Sequence, residues 1–305
     1  MIPNGISKLT KEDKEANRPY TVGALYTPFE RTNRLWKYDY KKEWIIDQKD
    51  KDTCGGNSVS LAKSIQEGRW MSALFTWLMA RIRSNMALND FGVNNRDLAM
   101  ATKKVGTLLF TDSPYTNDDP REVLIDVTKW DVAGLSKKAL PFIAGSVVWV
   151  EPQYGLDAFD MWCAATERFE KLYGKPCPAV FGFMWNYDIH SYRIVEPMET
   201  GSGHDMVLIG REEADYATAL QSYGLDAGKE GEVKISRAII NRHAENFGMF
   251  ILIDATTEQV EQAIKNGITL DADVVTRIKI LFLNKALSLL KQLLDTLKFQ
   301  NEQKT

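Results

Sequence analysis

Apolar residues recur at three- and four-residue steps early in the chain and at two-residue or continuous spacing later. Between Asn57 and Arg83, Leu61 and Ile65, then Leu74, Trp77, Leu78 and Ile82, mark helical faces, and the break EGRW at 67–70 divides the run into two helices. VNNRDLAMATKKVG, 93–106, predicts a third, with asparagines at the cap position, Leu98, Met100, Ala101 and Val105 within, and lysines followed by Gly106 at the end. After the turn-rich TDSPYTNDDP the texture changes. REVLIDVTKW, GSVVWVEP, PAVFGFMW, HDMVLIG, YATALQSYG, EVKISRAII and MFILID predict short strands, with one helix, DAFDMWCAATERFEKLYG, among them.

Helices first and antiparallel strands second is the signature of an α+β fold, not of an alternating βαβ parallel sheet, and a cleft between two lobes is the natural place for a site. The pattern divides the chain into an N-terminal arm (1–40), a two-lobed domain (41–255; helical lobe about 44–120, β lobe about 121–255) and a C-terminal helical extension (256–305). The arm is polar with isolated aromatics (Tyr20, Tyr26, Phe29, Trp36, Tyr38) and is expected to lie extended over the core. Within 274–299, Ile280, Leu283, Leu287, Leu290, Leu294 and Leu297 form a heptad seam that needs a partner surface. Two readings stay open for it: a helix docked on its own domain, or one that joins a second copy or a larger assembly.

With 305 residues, 44% of them hydrophobic and 26% charged, the chain can bury a substantial core. The net charge of −3, from 38 basic and 41 acidic residues spread along the chain, leaves no electrostatic footprint for nucleic acid or for a membrane surface. The first twenty residues lack the apolar stretch of a secretory signal, and no uncharged run reaches the length of a membrane span. A cytoplasmic protein, or a component of a virion or similar particle assembled there, is expected. Three cysteines, Cys54, Cys163 and Cys177, are too few for a disulfide framework and lack zinc-site spacing, so reduced thiols and no metal or cofactor are expected. The mixed-sign run at 47–53 reads as a solvated loop.

The candidate chemistry centres on DQKDKDTCGGNSVSLA. A thiol is a nucleophile only as thiolate, and a helix N-terminus or a neighbouring imidazolium lowers its pKa. Cys54 precedes two glycines and a helix, so its sulfur is expected beside unsatisfied N–H groups. Taken alone, a cysteine beside glycines is also what a tight turn contains. Gln48, six residues upstream, offers an amide for an oxyanion hole, and His204, 150 residues downstream in GSGHDMVLIG, opens an apolar strand from which an imidazole can project into a cleft. Seventeen residues further on lies Gln221, in QSYG. His190 and His243 read as surface or loop residues, and Cys163 and Cys177 as buried ones.

The order of a Gln-to-Cys helix start, a Gly-His strand and a late polar-Ser-aromatic-Gly hairpin resembles the papain-like cysteine peptidases over about residues 39–253. SALFTWLMAR is similar to the family's second helix, NNRDLAMATKKVGTLLFTDSPYT to the segment leading to a cleft-lining loop, and GKPCPAVFGF to the entry into the β lobe. The resemblance implies Cys54 as nucleophile, Gln48 in the oxyanion hole, His204 as general base and acid, and Gln221 in place of the family's asparagine that orients the imidazole. It sets Tyr223 where the family has a shielding tryptophan, and Gly55, Gly203 and Tyr223 against a peptide or protein substrate. One departure is CGGNS in place of Cys-Gly-Ser-Cys-Trp: with Cys54 matched to the first cysteine of that signature, Asn57 would stand at the nucleophile position. The six-residue step from Gln48 favours Cys54, and bacterial and phage members commonly lack the first cysteine. Two other classes remain: a papain-fold structural or interaction protein with weak or lost hydrolysis, carried in a phage-type particle through the C-terminal helix, and another acyl-transfer enzyme such as an amidase.

Overall fold

The computed structural model describes residues 8–17, 29–49, 51–84, 92–113 and 131–254. The expected strand at 121–130 and the leucine seam of the C-terminal extension lie outside the described residues.

Among the described residues, seven α-helices and eight strands alternate with short 3-10 turns. Helices α2 (Cys54–Glu67), α3 (Ala73–Ser84) and α4 (Asn95–Lys104) pack on one another; α2 and α3 are buried on nearly every side, and α4 turns Leu98, Ala101 and Thr102 inward. α2 and α3 meet around EGRW, where Gly68 takes the left-handed conformation (φ 64°) that ends the helix. α4 starts on Asn94, whose side chain accepts the N–H of Asp97 at 2.8 Å, as the cap-like asparagines predict. α5 (Val132–Ala139) leads into the sheet lobe, and α6 (Ala158–Tyr173), capped by Asp157 and ended by Gly174, is the helix expected among the strands.

The strands are β1 (Trp36–Lys37), β2 (Ala144–Trp149), β3 (Ala179–Trp185), β4 (Arg193–Ile194), β5 (Ser202–Glu213), β6 (Tyr216–Leu220), β7 (Glu232–Ser236) and β8 (Met249–Asp254). They form one sheet in the order β2-β8-β3-β5-β6-β7-β4, antiparallel except for the short β4–β7 pair, with β1 added on β5. β3 and β5 stay in register over seven consecutive pairs, from Ala179 opposite Leu208 to Trp185 opposite Ser202. β5 shifts register against β6 only beyond Leu208. The core runs from the helices into the sheet through Val59, Trp77, Leu98, Phe181 and Met206, all fully buried. The α+β architecture expected from the pattern is the one observed.

Two expectations change. The arm is not simply extended. Residues Lys11–Asn17 form helix α1, started by Thr10 and Asp13, which hydrogen-bond each other's backbone, and Trp36 and Lys37 enter the sheet. EVKISRAII is not a single strand: β7 ends at Ser236, whose hydroxyl caps α7 (Arg237–Phe247). The β-branched pair Ile239-Ile240 suggests strand, yet both pack into the core at helical spacing with Ala244 and Phe247.

Candidate active site

Cys54 is the first residue of α2 and its side chain is fully buried. The glycines after it are there for close approach. A Cβ on Gly56 would lie 2.5 Å from the Ala73 carbonyl oxygen, and one on Gly55 would lie 2.5 Å from Leu98 and 3.0 Å from an oxygen of Asp205. Only bare backbone lets this turn press against α3, α4 and β5 at once. Its start is tied from below, because the Asn57 side chain donates to the Thr53 carbonyl at 3.0 Å and to its hydroxyl at 3.1 Å. Asn57 thus secures the turn, while the Cys54 sulfur meets the backbone N–H groups of Asp205 and Gly55.

Asp205 follows His204 on β5, so the sulfur lies against the strand that carries the imidazole. His204 is 1% exposed and sits opposite Phe183. The Trp185 and Tyr223 rings lie with centroids 5.1 Å from it, Tyr223 nearly parallel at 13°. Tyr223 therefore lies over the imidazole, and its phenol is pushed up by burial and then by the charge of Cys54. Gly203, opposite Met184, leaves backbone without a side chain beside His204.

The two glutamines are held less directly. The Gln48 N–H donates to the Ser222 carbonyl at 2.7 Å, and the Ser222 hydroxyl donates to Gln48 Oε1. Gln48 Nε2 donates to the Lys51 carbonyl at 2.8 Å, a bond that uses one of its two protons. The Gln48 loop is therefore fastened to the strand end that carries Gln221 and Tyr223. The Gln221 side chain turns its Nε2 toward the Ile189 carbonyl at 3.3 Å. Its Oε1 and the His204 Nε2 are both buried without a hydrogen-bond partner. The structure places Gln221 just past the end of β6, the strand beside that of His204, but does not join the two residues by a hydrogen bond.

The electrostatics correct the expectation of a ready thiolate. Burial first, and then the Asp205 and Asp52 charges, push the Cys54 thiol well above its usual range, against the pull of the Asp205 and Gly55 amides. Burial alone lowers His204 from 6.5 to about 3. Thiol and imidazole are therefore both neutral at physiological pH. In this closed arrangement the helix N-terminus is outweighed by desolvation: Phe247 packs on Cys54, and Met184 packs against both.

Several residues of the site lie beyond the sequence reading. Asp205, fully buried, has its carboxyl under the first turn of α2, held by Asn95. Its signal is a charged residue in the middle of the apolar strand HDMVLIG. Asn95, Ser222 and Phe247 act across the fold and leave no local signal. His243, expected at the surface, is buried on α7 against Phe247 and lowered to about 4 by burial, whereas His190 lies in an exposed loop as expected. Cys163 and Cys177 are buried thiols pushed up to about 12. Among the described residues, no group of three or more His, Cys, Asp or Glu side chains is placed to hold a metal ion.

No protein-family model matches the chain, and no curated protein matches it. Solved structures do. Xylellain, a cysteine protease from Xylella fastidiosa, superposes with a TM-score of 0.54 at 17% identity, over 76% of this chain and 96% of that one. Procathepsin B S9 from Trypanosoma congolense superposes with a TM-score of 0.50 at 14% identity, over 83% of this chain and 88% of that one. The fold is that of the papain-like cysteine proteases.

Proposed function

We propose that the protein is a cysteine-type peptidase that hydrolyses peptide bonds through an acyl-enzyme on Cys54. The observation that carries this reading is the seating of the first turn of α2, which Cys54 begins, against Asp205, the residue after His204: a Cβ on Gly55 would lie 3.0 Å from Asp205 Oδ2. In the reaction the thiol proton passes to His204 as sulfur attacks the scissile carbonyl carbon. The second Nε2 proton of Gln48 and the Cys54 N–H receive the oxyanion. His204 then gives its proton to the leaving amine, takes one from water, and the hydroxide releases the acid and the free thiol. Tyr223 keeps water off the imidazole. Gln221, one methylene longer than asparagine, orients it once its carbonyl turns toward Nε2. Because thiol and imidazole start neutral and enclosed, substrate must displace part of the Phe247–Met184 cover and supply partners for the charges that form.

Hydrolysis of unfolded casein or a mixed peptide library by the full chain tests this directly. Cleavage lost in Cys54→Ala and in His204→Ala, with thermal unfolding unchanged in Cys54→Ala, is the expected outcome. Cleavage that persists in Cys54→Ala overturns it.

A second reading is favoured by that same cover and by the misdirected Gln221 amide: a papain fold kept as a structural or interaction protein, with Cys54 reduced to a core atom. Iodoacetamide separates the two. Modification of Cys54 ahead of Cys163 and Cys177, dependent on His204, supports the peptidase; equal and slow modification of all three supports the scaffold.

A further inference from the structure

Asp205 is a fully buried carboxyl on the strand that carries His204. It lies between Gly55 of α2 and Gly182 of β3: a Cβ on Gly55 would sit 3.0 Å from Oδ2, and one on Gly182 would sit 2.9 Å from Oδ1. Asn95, at the start of α4, donates through Nδ2 to Asp205 Oδ1 at 3.1 Å, to the Phe247 carbonyl at 3.1 Å and to the Gly248 carbonyl at 3.2 Å. One amide therefore joins the helical lobe, the strand of His204 and the end of α7, whose Phe247 covers the thiol. Asp205 uses both of its polar parts here, its N–H on the Cys54 sulfur and its carboxyl on Asn95.

We propose that Asp205 is a positioning residue of the Cys54–His204 pair, its neutral carboxyl locking the first turn of α2 onto β5 while its backbone N–H steers the sulfur. This rests on the peptidase reading of the same site. The count of hydrogen-bonding atoms argues for the neutral acid. Two Asn95 protons face three oxygens, and Asp205 Oδ2 and Asn95 Oδ1 are both buried with no partner. A box with surplus acceptors is short of a donor, and a proton on Oδ2 supplies one. Burial acts in the same direction, raising the carboxyl from 3.8 to about 8 against the Asn95 hydrogen bond.

Of the elements around this carboxyl, α2 contributes Cys54 as a titratable group, β3 contributes Gly182, and the end of α7 contributes Phe247 and the Gly248 carbonyl. α4 contributes Asn95 and Leu98, its charged Arg96 and Asp97 being engaged with Asp13 and Arg83. Cys54 and Asp205 therefore titrate against each other: an ionised Asp205 opposes the thiolate, and a neutral one permits it.

The test is the second-order rate of iodoacetamide alkylation of Cys54 in the full chain from pH 6 to 10, read by mass spectrometry, with Cys163 and Cys177 as internal references. Asp205→Asn keeps the shape and the missing donor but cannot ionise. It should match the parent below pH 7 and exceed it above pH 8, with the alkylation midpoint lower by about one pH unit. Superimposable profiles, or an Asp205→Asn chain that is folded yet unreactive where the parent reacts, overturn the proposal. In Asn95→Ala the ratio of Cys54 to Cys163 labelling at pH 7 should fall about tenfold or more, as for a misplaced reacting group; an unchanged ratio with a lower melting temperature makes the contact purely structural and also overturns it. His204→Ala in the parent background reports on the peptidase reading by itself. If Cys54 labelling is indifferent to His204, that reading fails; if it depends on His204 but not on Asp205, only the present proposal does.

Discussion

The two ends of α2 treat buried polarity in opposite ways. Near its C-terminus Lys63, with no exposed side-chain surface, is held 2.7 Å from Glu67 and 2.7 Å from Asp254, and Asp254 also pairs with Lys175. Each charge there has a protein partner. At the N-terminus Cys54, His204, Asp205 and Gln221 are as deeply buried, yet His204 Nε2, Asp205 Oδ2 and Gln221 Oε1 have none. One helix thus spans a stretch where buried charge is paired within the fold, though Gln66 Oε1 has no partner, and a stretch where several polar atoms have none. Orphaned polar atoms beside the Cys54 thiol are what the proposed acyl transfer, with charge that forms only during reaction, requires.

The sharpest way to break the contrast is at the satisfied end. Lys63→Met strands Glu67 and leaves Asp254 with Lys175 alone, and should cost about 3 kcal/mol in urea unfolding while leaving Cys54 labelling intact. Loss of labelling as well would mean that the two ends are coupled. Next in size, Gln48→Ala should lower peptide turnover about 10²–10³-fold, as removal of an oxyanion donor does, with stability little changed; an unaltered kcat removes Gln48 from the oxyanion hole.

The open end should also set the pH dependence of stability. His204 stays neutral in the fold down to about 3 but protonates near 6.5 when unfolded, so its contribution is lost as pH falls below 6.5. Asp205 runs the other way: protonated in the fold up to about 8 and ionised above 3.8 when unfolded, it costs stability as pH rises through that window. Thermal melts of Asp205→Asn against the parent should therefore show a gain that is larger at pH 8 than at pH 4, and a pH-independent difference contradicts the buried acid. The smallest effect is expected for Tyr223→Phe, which removes a buried hydroxyl without a hydrogen-bond partner and should be neutral or stabilising by up to about 1 kcal/mol in the same melts.

How much of this is legible in the sequence follows from which interactions are local. The helices beginning at Cys54, Ala73 and Asn95 carry their own periodicity, caps and stops, and β3, β5 and β8 their own apolar runs, so the pattern finds them. α7 reads as strand because Ile239 and Ile240 are β-branched, although Ser236 before it and Gly248 after it are available as end signals. β1 is held by pairing with Gly210 and Arg211, by Trp36 against Trp162 and by Lys37 on Glu232, all long-range contacts that no local pattern reports. In the site, Cys54, His204, Gln48 and Tyr223 are reached through spacing and resemblance. Asp205, Asn95 and Phe247 owe their roles to contacts more than a hundred residues apart or to the end of an unread helix. The neutral state of the thiol is hidden for the same reason, since burial is a property of the assembled core.

The unbroken ladder between β3 and β5 limits how such a chain can change its length. His204 and Asp205 are neighbours that face opposite sides of one strand, so a one-residue slip of the β3–β5 pairing would trade their places. Beyond Leu208 the pairing with β6 already slips twice, and an added residue there is absorbed without reaching the imidazole. Lengthening should therefore be tolerated downstream of Leu208 and forbidden between Ser202 and Leu208, a contrast that a set of single-codon insertions would display.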